Sequence, residues 1–331
     1  MTLSSIYKKA VKELKVSGDP TAELDAGVLL EFVTHKDRAD VVSHPQEPLT
    51  NSQNSKFQRL IKRRKNNEPI AYITGHKEFY GYDFNINKNT LIPRPESEEL
   101  VSLALERIKQ KVSGASGKSD NPIFLEANIS IKDNEMAASN FHRRIKKFSS
   151  KISPNIQSPI FNILDMGTGS GCIIISLYKK CDELDNITNS INFSACDISP
   201  KALYVAKKNA IRHEVNKNIK FYCSDLFQNR LVRKKYDIII ANLPYVPKKV
   251  KSFNFEPQEA IFADDNGTSI IKKFLDESKK YLAENGLILI ELDPRNALDL
   301  NRYAKIIYPN ARIELKKDLA SLDRYLIIDS K

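Results

Sequence analysis

The residues best suited to chemistry sit at the ends of four apolar runs. The first, Ile163-Leu164-Asp165-Met166-Gly167-Thr168-Gly169-Ser170-Gly171-Cys172, reads as a buried strand, a tight glycine turn and the start of a helix. Asp165 falls where the strand ends. Gly167, Gly169 and Gly171, alternating with Thr168 and Ser170, keep side chains away from a backbone that must pass close to a ligand. Gly-x-Gly-x-Gly differs from the Gly-x-Gly-x-x-Gly of dinucleotide sites and favours a cofactor with no pyrophosphate to seat on the helix N-terminus. S-adenosylmethionine fits that description. About 25 residues on, a second strand ends in Asp197, the position from which a carboxylate reaches ribose hydroxyls. A third, Ile219 to Cys223, leads into Ser224-Asp225-Leu226, where a carboxylate could accept from an adenine amino group. A fourth, Tyr236 to Ala241, ends in Asn242-Leu243-Pro244-Tyr245. A glycine turn alone can serve packing; polar groups at three further strand ends, where open α/β sheets bind ligands, weigh against that.

Those ends must be held by a mostly parallel sheet, and the chain supplies its remainder. Ile270 to Leu282 reads as a helix, Asn285-Gly286 as a turn, Leu287 to Leu292 as a buried strand, and Arg312 to Leu315 with Tyr325 to Ile328 as a closing pair. Ahead of the sheet, residues 1–66 carry helix-period stripes: Ile6, Ala10, Val11 and Leu14; then Leu24, Val28, Leu29, Phe32 and Val33; then Phe57, Leu60 and Ile61. Residues 67–111 change character. Ile70, Tyr72, Ile73, Phe79, Tyr80, Tyr82, Phe84 and Ile86, interrupted by Gly75 and Gly81, predict a hairpin, and Pro93 and Pro95 lead into a linker helix with acids crowding its start. Residues 112–158, rich in Ser, Asn and Lys, read as a low-complexity, flexible insertion serving as a solvated spacer. Residues 159–331 form the sheet domain.

With 331 residues, 41% of them hydrophobic and 28% charged, the chain can bury a real core and supply two domains. No apolar run has the length of a membrane span, and Met1 to Lys15 lacks the apolar core of a signal peptide, so a soluble protein of the cytoplasm, without membrane partners, is expected. Cys172, Cys181, Cys196 and Cys223 show no metal spacing and read as buried thiols; no metal site is expected. His35, His44 and His76 are isolated and read as surface or packing residues. The net charge of +11 suggests an acidic partner. Its local clusters, Lys62-Arg63-Arg64-Lys65, Arg143-Arg144 with Lys146-Lys147, and Lys248-Lys249, read as solvated faces.

Glu68-Pro69-Ile70-Ala71-Tyr72-Ile73-Thr74-Gly75, Glu78-Phe79-Tyr80-Gly81 and Ile92-Pro93-Arg94-Pro95-Glu96 closely resemble the hinge of bacterial-type release factor glutamine methyltransferases. The likeness covers residues 1–111 and 160–331, including Asp165 to Gly171, Asp197-Ile198-Ser199, Ser224-Asp225-Leu226-Phe227, Glu256-Pro257 and Lys317-Asp318-Leu319. The resemblance implies a Rossmann-like class I methyltransferase fold with a seven-stranded, doubly wound sheet whose last strand is antiparallel, behind a small helical substrate-recognition domain. It implies a monomer that uses S-adenosylmethionine to methylate a glutamine side-chain amide in class I peptide chain release factors, in support of translation termination and without stable nucleic-acid binding.

Carried over from the family, the Asn242 side-chain oxygen and the Leu243 backbone carbonyl accept the two N–H bonds of the substrate amide, and the Tyr245 ring packs on its plane beside Pro244. Two acceptors so placed point the nitrogen lone pair at the methyl carbon, which is near-attack alignment rather than general-base catalysis. The family usually has Pro where this chain has Leu243. Asn-Leu-Pro-Tyr is familiar from adenine N6-methyltransferases of ribosomal RNA, an alternative that suits the basic charge but not the N-terminal third. Asp293 also stands where the family usually has glycine.

Overall fold

The computed structural model describes residues 2–114, 161–184, 187–247 and 255–330. The spacer expected at 112–158 falls almost wholly outside them, as do the basic clusters Arg143 to Lys147 and Lys248-Lys249. The chain forms two compact units, residues 1–77 with 85–88, and residues 78–84 with 89–331.

In the first unit the helices Leu3–Val16, Ala22–Thr34 and Asn51–Lys65 enclose a core that includes Ile6, Leu14, Leu29, Leu30, Phe57 and Ile61. Thr2 caps the first, and Thr50 with Gln53 forms a capping box at the third, satisfying N–H groups that the first turn leaves free. The second stripe is rotated from its expected position. Leu24 is exposed and the buried face runs through Ala22, Ala26, Leu29, Leu30 and Val33. Small residues there let the helix approach its neighbours closely, and Arg64 draws Asp25 inward by donating to its carboxylate at 2.7 Å. Arg64, expected on a solvated face, is thus a structural cation. Ile70, Tyr72 and Ile73, expected in a strand, form the short helix Ile70–Thr74, begun by Pro69 and ended by Gly75 in the left-handed region. The hairpin is correspondingly narrow. Strands β1 (His76–Phe79) and β2 (Tyr82–Asn85) are joined by Tyr80-Gly81, both at positive φ, as a tight type I′ hairpin turn requires.

The second unit is built on a seven-stranded sheet. Its members are β3 (Phe161–Met166), β4 (Ile191–Asp197), β5 (Ile219–Cys223), β6 (Tyr236–Ala241), β9 (Leu282–Glu291), β10 (Arg312–Lys317) and β11 (Asp323–Asp329), in the order β10-β11-β9-β6-β3-β4-β5. The two-residue strands β7 (Val246–Pro247) and β8 (Phe262–Ala263) pair separately. β3 pairs in parallel with both β4 and β6, whereas β11 is antiparallel to β9 and β10. The fold is that of a class I methyltransferase, as the resemblance implied. The chain leaves β3 for β4 and β5 on one side and returns to β6 and β9 on the other. The C-terminal ends of β3 and β6 therefore flank the switch point at which such sheets open a crevice.

The central strands read as near-continuous apolar runs because helices cover both faces. Ile163, Leu164, Ile238, Ile239 and Ile240 are all fully buried. Asn285-Gly286, expected as a turn before the next strand, lies inside β9. Register jumps from Tyr236 opposite Leu282 to Ile238 opposite Leu287, so the intervening residues bulge out of the ladder with Asn285 at positive φ. Cys172, Cys181 and Cys196 are buried, but Cys223 is exposed because β5 is an edge strand. No helix among the described residues is long and apolar enough to cross a membrane.

Candidate active site

The glycine turn is stitched to the neighbouring strand. Gly167 and Thr168 donate their N–H groups to the Cys196 carbonyl at 2.9 and 3.0 Å, and Gly169 donates to Asp197 Oδ2 at 2.9 Å. Asp197 Oδ1 accepts from Ser199 N at 2.8 Å, and Ser199 caps the following helix, Pro200–Arg212. Burial pushes the Asp197 carboxyl upward, and the N–H groups of Ser199 and Gly169 pull it back. Asp165 lies beneath the turn, fully buried, with Oδ2 accepting from Thr168 Oγ1 at 2.6 Å. Burial raises its pKa to about 7, with the Thr168 bond opposing and the Asp197 charge adding.

A cavity of about 780 Å³ opens over this turn, within the range of cofactor sites. Gly167, Thr168, Gly169, Ser170, Asp197, Asp225 and Leu226 line it from the β3, β4 and β5 ends, and Asn242, Leu243 and Pro244 from the β6 end. Asp165, Gly171 and Tyr245 are not on its wall. Asp225 Oδ2 accepts from Lys273 Nζ at 2.9 Å. Leu226 is held at φ 46, where a branched side chain is uncommon, by Ser224 Oγ donating to its carbonyl at 2.6 Å. Among the described residues no group of three or more His, Cys, Asp and Glu side chains could hold a metal ion.

At the β6 end the side chains form a closed polar cluster. Asn242 Nδ2 donates to Ser97 Oγ and to Glu291 Oε2, each at 2.9 Å. Ser97 Oγ donates to Glu291 Oε2 at 2.6 Å, and Tyr245 Oη donates to Glu291 Oε1 at 2.9 Å. Burial, then the Glu291 charge, push the Tyr245 phenol upward, so it keeps its proton and serves as a donor. Burial raises Glu291 too, against the bonds from Ser97 and Tyr245. With both Nδ2 partners inside the protein, Asn242 has Oδ1 left to offer the cavity.

Two family models match the chain: one described as the PrmC N-terminal domain, over residues 5–75, and one described as a methyltransferase domain, over residues 158–318. The chain is 30% identical to the release factor glutamine methyltransferase of Coxiella burnetii, over 96% of each chain. It is 31% identical to that of Buchnera aphidicola, over 99% of this chain and 98% of the relative. The chain belongs to the release factor glutamine methyltransferase family. A bifunctional methyltransferase of Rickettsia bellii is also 31% identical over 89% of this chain, and the chain spans 49% of that relative's length.

In this member of the release factor glutamine methyltransferase family the cavity suits S-adenosylmethionine on its own chemistry. A Cβ at Gly169 would meet nothing within 4 Å, so the turn leaves open space where a ligand can lie against the backbone. Asp197, Asp225, Glu259 and Asp264 outnumber Arg94 and Lys273 around the wall, favouring a cationic sulfonium. Three contributors are not apparent from the sequence motifs. Ser97 and Glu291 hold the cluster behind Asn242, and a Cβ at Gly267 would fall 2.1 Å from the Tyr245 carbonyl oxygen. Glu291 could have been found, since it too ends a strand on the ligand side of the sheet. Ser97 and Gly267 carry no such local signal.

Proposed function

We propose that this chain transfers a methyl group from S-adenosylmethionine to the side-chain amide nitrogen of a glutamine in class I peptide chain release factors, in the cytoplasm. Gly167 to Ser170 and Asp197 would hold the cofactor's amino-acid and ribose portions, and Asp225 with Leu226 its adenine. The bound cofactor supplies an electrophilic sulfonium methyl group.

An amide nitrogen is a poor nucleophile because its lone pair is delocalised into the carbonyl. Asn242 Oδ1 and the Leu243 carbonyl accept its two N–H bonds, favouring positive charge on nitrogen and aiming the lone pair. Pro244 shapes the turn, and Tyr245, which would have to turn toward the cavity to pack on the amide, supports the turn from behind through its bond to Glu291. Alignment does this work without a histidine: as the nitrogen takes the methyl group the carbon–sulfur bond would break to leave a neutral thioether, and the nitrogen would release one of its two N–H protons to water.

The observation that carries the reading is the inward anchoring of the Asn242 NH₂ group by Ser97 and Glu291, which leaves an oxygen for a donor substrate. Family membership favours the glutamine amide over the adenine amine of ribosomal RNA. Leu243, the departure that resembles the RNA enzymes, lines the cavity but is 5% exposed and packs in the core cluster, which supports a packing role for its side chain. Incubation with labelled S-adenosylmethionine and, separately, a release factor and ribosomal RNA tests the proposal. Label in the release factor is expected; label only in RNA would overturn it.

A further inference from the structure

Glu291 is 1% exposed at the end of β9 and does not itself line the cavity. Three donors converge on it, from Ser97, Asn242 and Tyr245. Among the described residues Glu291 forms no ion pair, and Arg324, whose charge reaches it, pairs with Asp318 at 3.0 Å. A buried carboxylate is costly unless hydrogen bonds saturate it, and three directed donors do so.

We propose that Glu291 is the positioning residue of the transfer site, an acceptor-only anchor that fixes which end of the Asn242 amide meets the substrate. The proposal rests on the methyl-transfer reading above. With Ser97 Oγ, Asn242 Nδ2 and Tyr245 Oη all directed at it, Glu291 accepts on both of its oxygens. Ser97 directs its single hydroxyl hydrogen at Glu291 Oε2, so its oxygen also meets Asn242 as an acceptor. Both groups behind Asn242 therefore demand the NH₂ end, and Oδ1 is turned outward. A flipped Asn242 would set oxygen against two buried acceptors and present donors to a substrate nitrogen that itself has only N–H bonds to give. The same carboxylate holds the Tyr245 hydroxyl, so one residue ties Asn242 at the cavity to Tyr245 behind its wall.

Glu291→Gln keeps the shape and replaces one acceptor by a donor. On the full chain it should lower kcat on the release factor on the order of 10- to 100-fold, less than loss of the acceptor itself, with cofactor affinity by calorimetry unchanged. Adding Asn242→Asp reverses the pair. The introduced glutamine amide then donates to the introduced aspartate, whose outer oxygen still accepts from the substrate, so the double variant should exceed the product of the two single effects at least tenfold. Near-wild-type kcat for Glu291→Gln, or effects that simply multiply, would overturn the proposal. If Glu291→Gln fails to bind cofactor, Ser97→Ala decides, and an unchanged kcat there would count against the anchor. Exchange of the Asn242 side-chain NH₂ protons by NMR, with Asn242→Asp to assign them, reads the orientation without turnover. Protection in the wild type and its loss in Glu291→Gln are expected, and unprotected wild-type protons would refute it. A wild type that labels no release factor but shows protected protons counts against the substrate reading alone.

Discussion

Gly169 donates its N–H to Asp197 Oδ2 at 2.9 Å, so the residue proposed to hold the cofactor ribose also fastens the turn beneath it. Asp197→Ala removes a charge-assisted partner and loosens the glycine backbone together. Cofactor binding should weaken by about 1.5–3 kcal/mol, and Asp197→Asn, which can still accept from Gly169, should lose less. Calorimetry on both variants checks this; unchanged affinity in Asp197→Ala would remove Asp197 from the site.

The Leu243 side chain is turned into the core, where a Cβ on Gly167 would lie 3.1 Å from its Cδ2. If position 243 acts through its carbonyl, Leu243→Pro should keep glutamine methylation while lowering stability by about 1–2 kcal/mol, from lost packing. Asn242→Ala should lose roughly 10²–10³ in kcat, because one of two preorganised acceptors is gone. Turnover and denaturant midpoints for both variants separate the two roles. Abolished activity in Leu243→Pro would defeat the backbone assignment.

Asp165 carries a pH signature. Its pKa is raised from 3.8 to about 7, with burial the leading cause, so the folded protein holds a proton that the unfolded chain has already lost over that interval. Stability from this group is therefore greatest at low pH and falls as pH climbs from about 4 to about 7, by up to about 1.4 kcal/mol for each pH step of one. Asp165→Asn should exceed the wild type at pH 5 and by a larger margin at pH 8, the gap widening by on the order of a few kcal/mol between them. Urea unfolding at the two pH values reads the difference. An Asn variant less stable at pH 8 would show that ionised Asp165 is compensated by its surroundings.

The sheet was legible because its strands are short apolar runs punctuated by Gly, Asp and Asn, and both period and punctuation are local. The bulge at Asn285-Gly286 was not, because a turn dipeptide looks the same whether it ends a strand or interrupts one. Ile70 to Ile73 misled for a similar reason. Their β-preference is weaker than the start and stop set by Pro69 and Gly75. In the site, residues beside the glycine turn or at strand ends announced themselves. Ser97 reaches Asn242 across 145 positions of sequence, a pairing that only the folded chain makes visible.

Tandem mass spectrometry of a release factor incubated with this protein and S-adenosylmethionine reads the transferred methyl group itself. One added methyl group is expected, located by fragmentation on the side-chain amide of a single glutamine, absent without cofactor and strongly reduced with Asn242→Ala. A methyl group elsewhere in the release factor, or one confined to ribosomal RNA adenine in a parallel reaction, would contradict the transfer to glutamine.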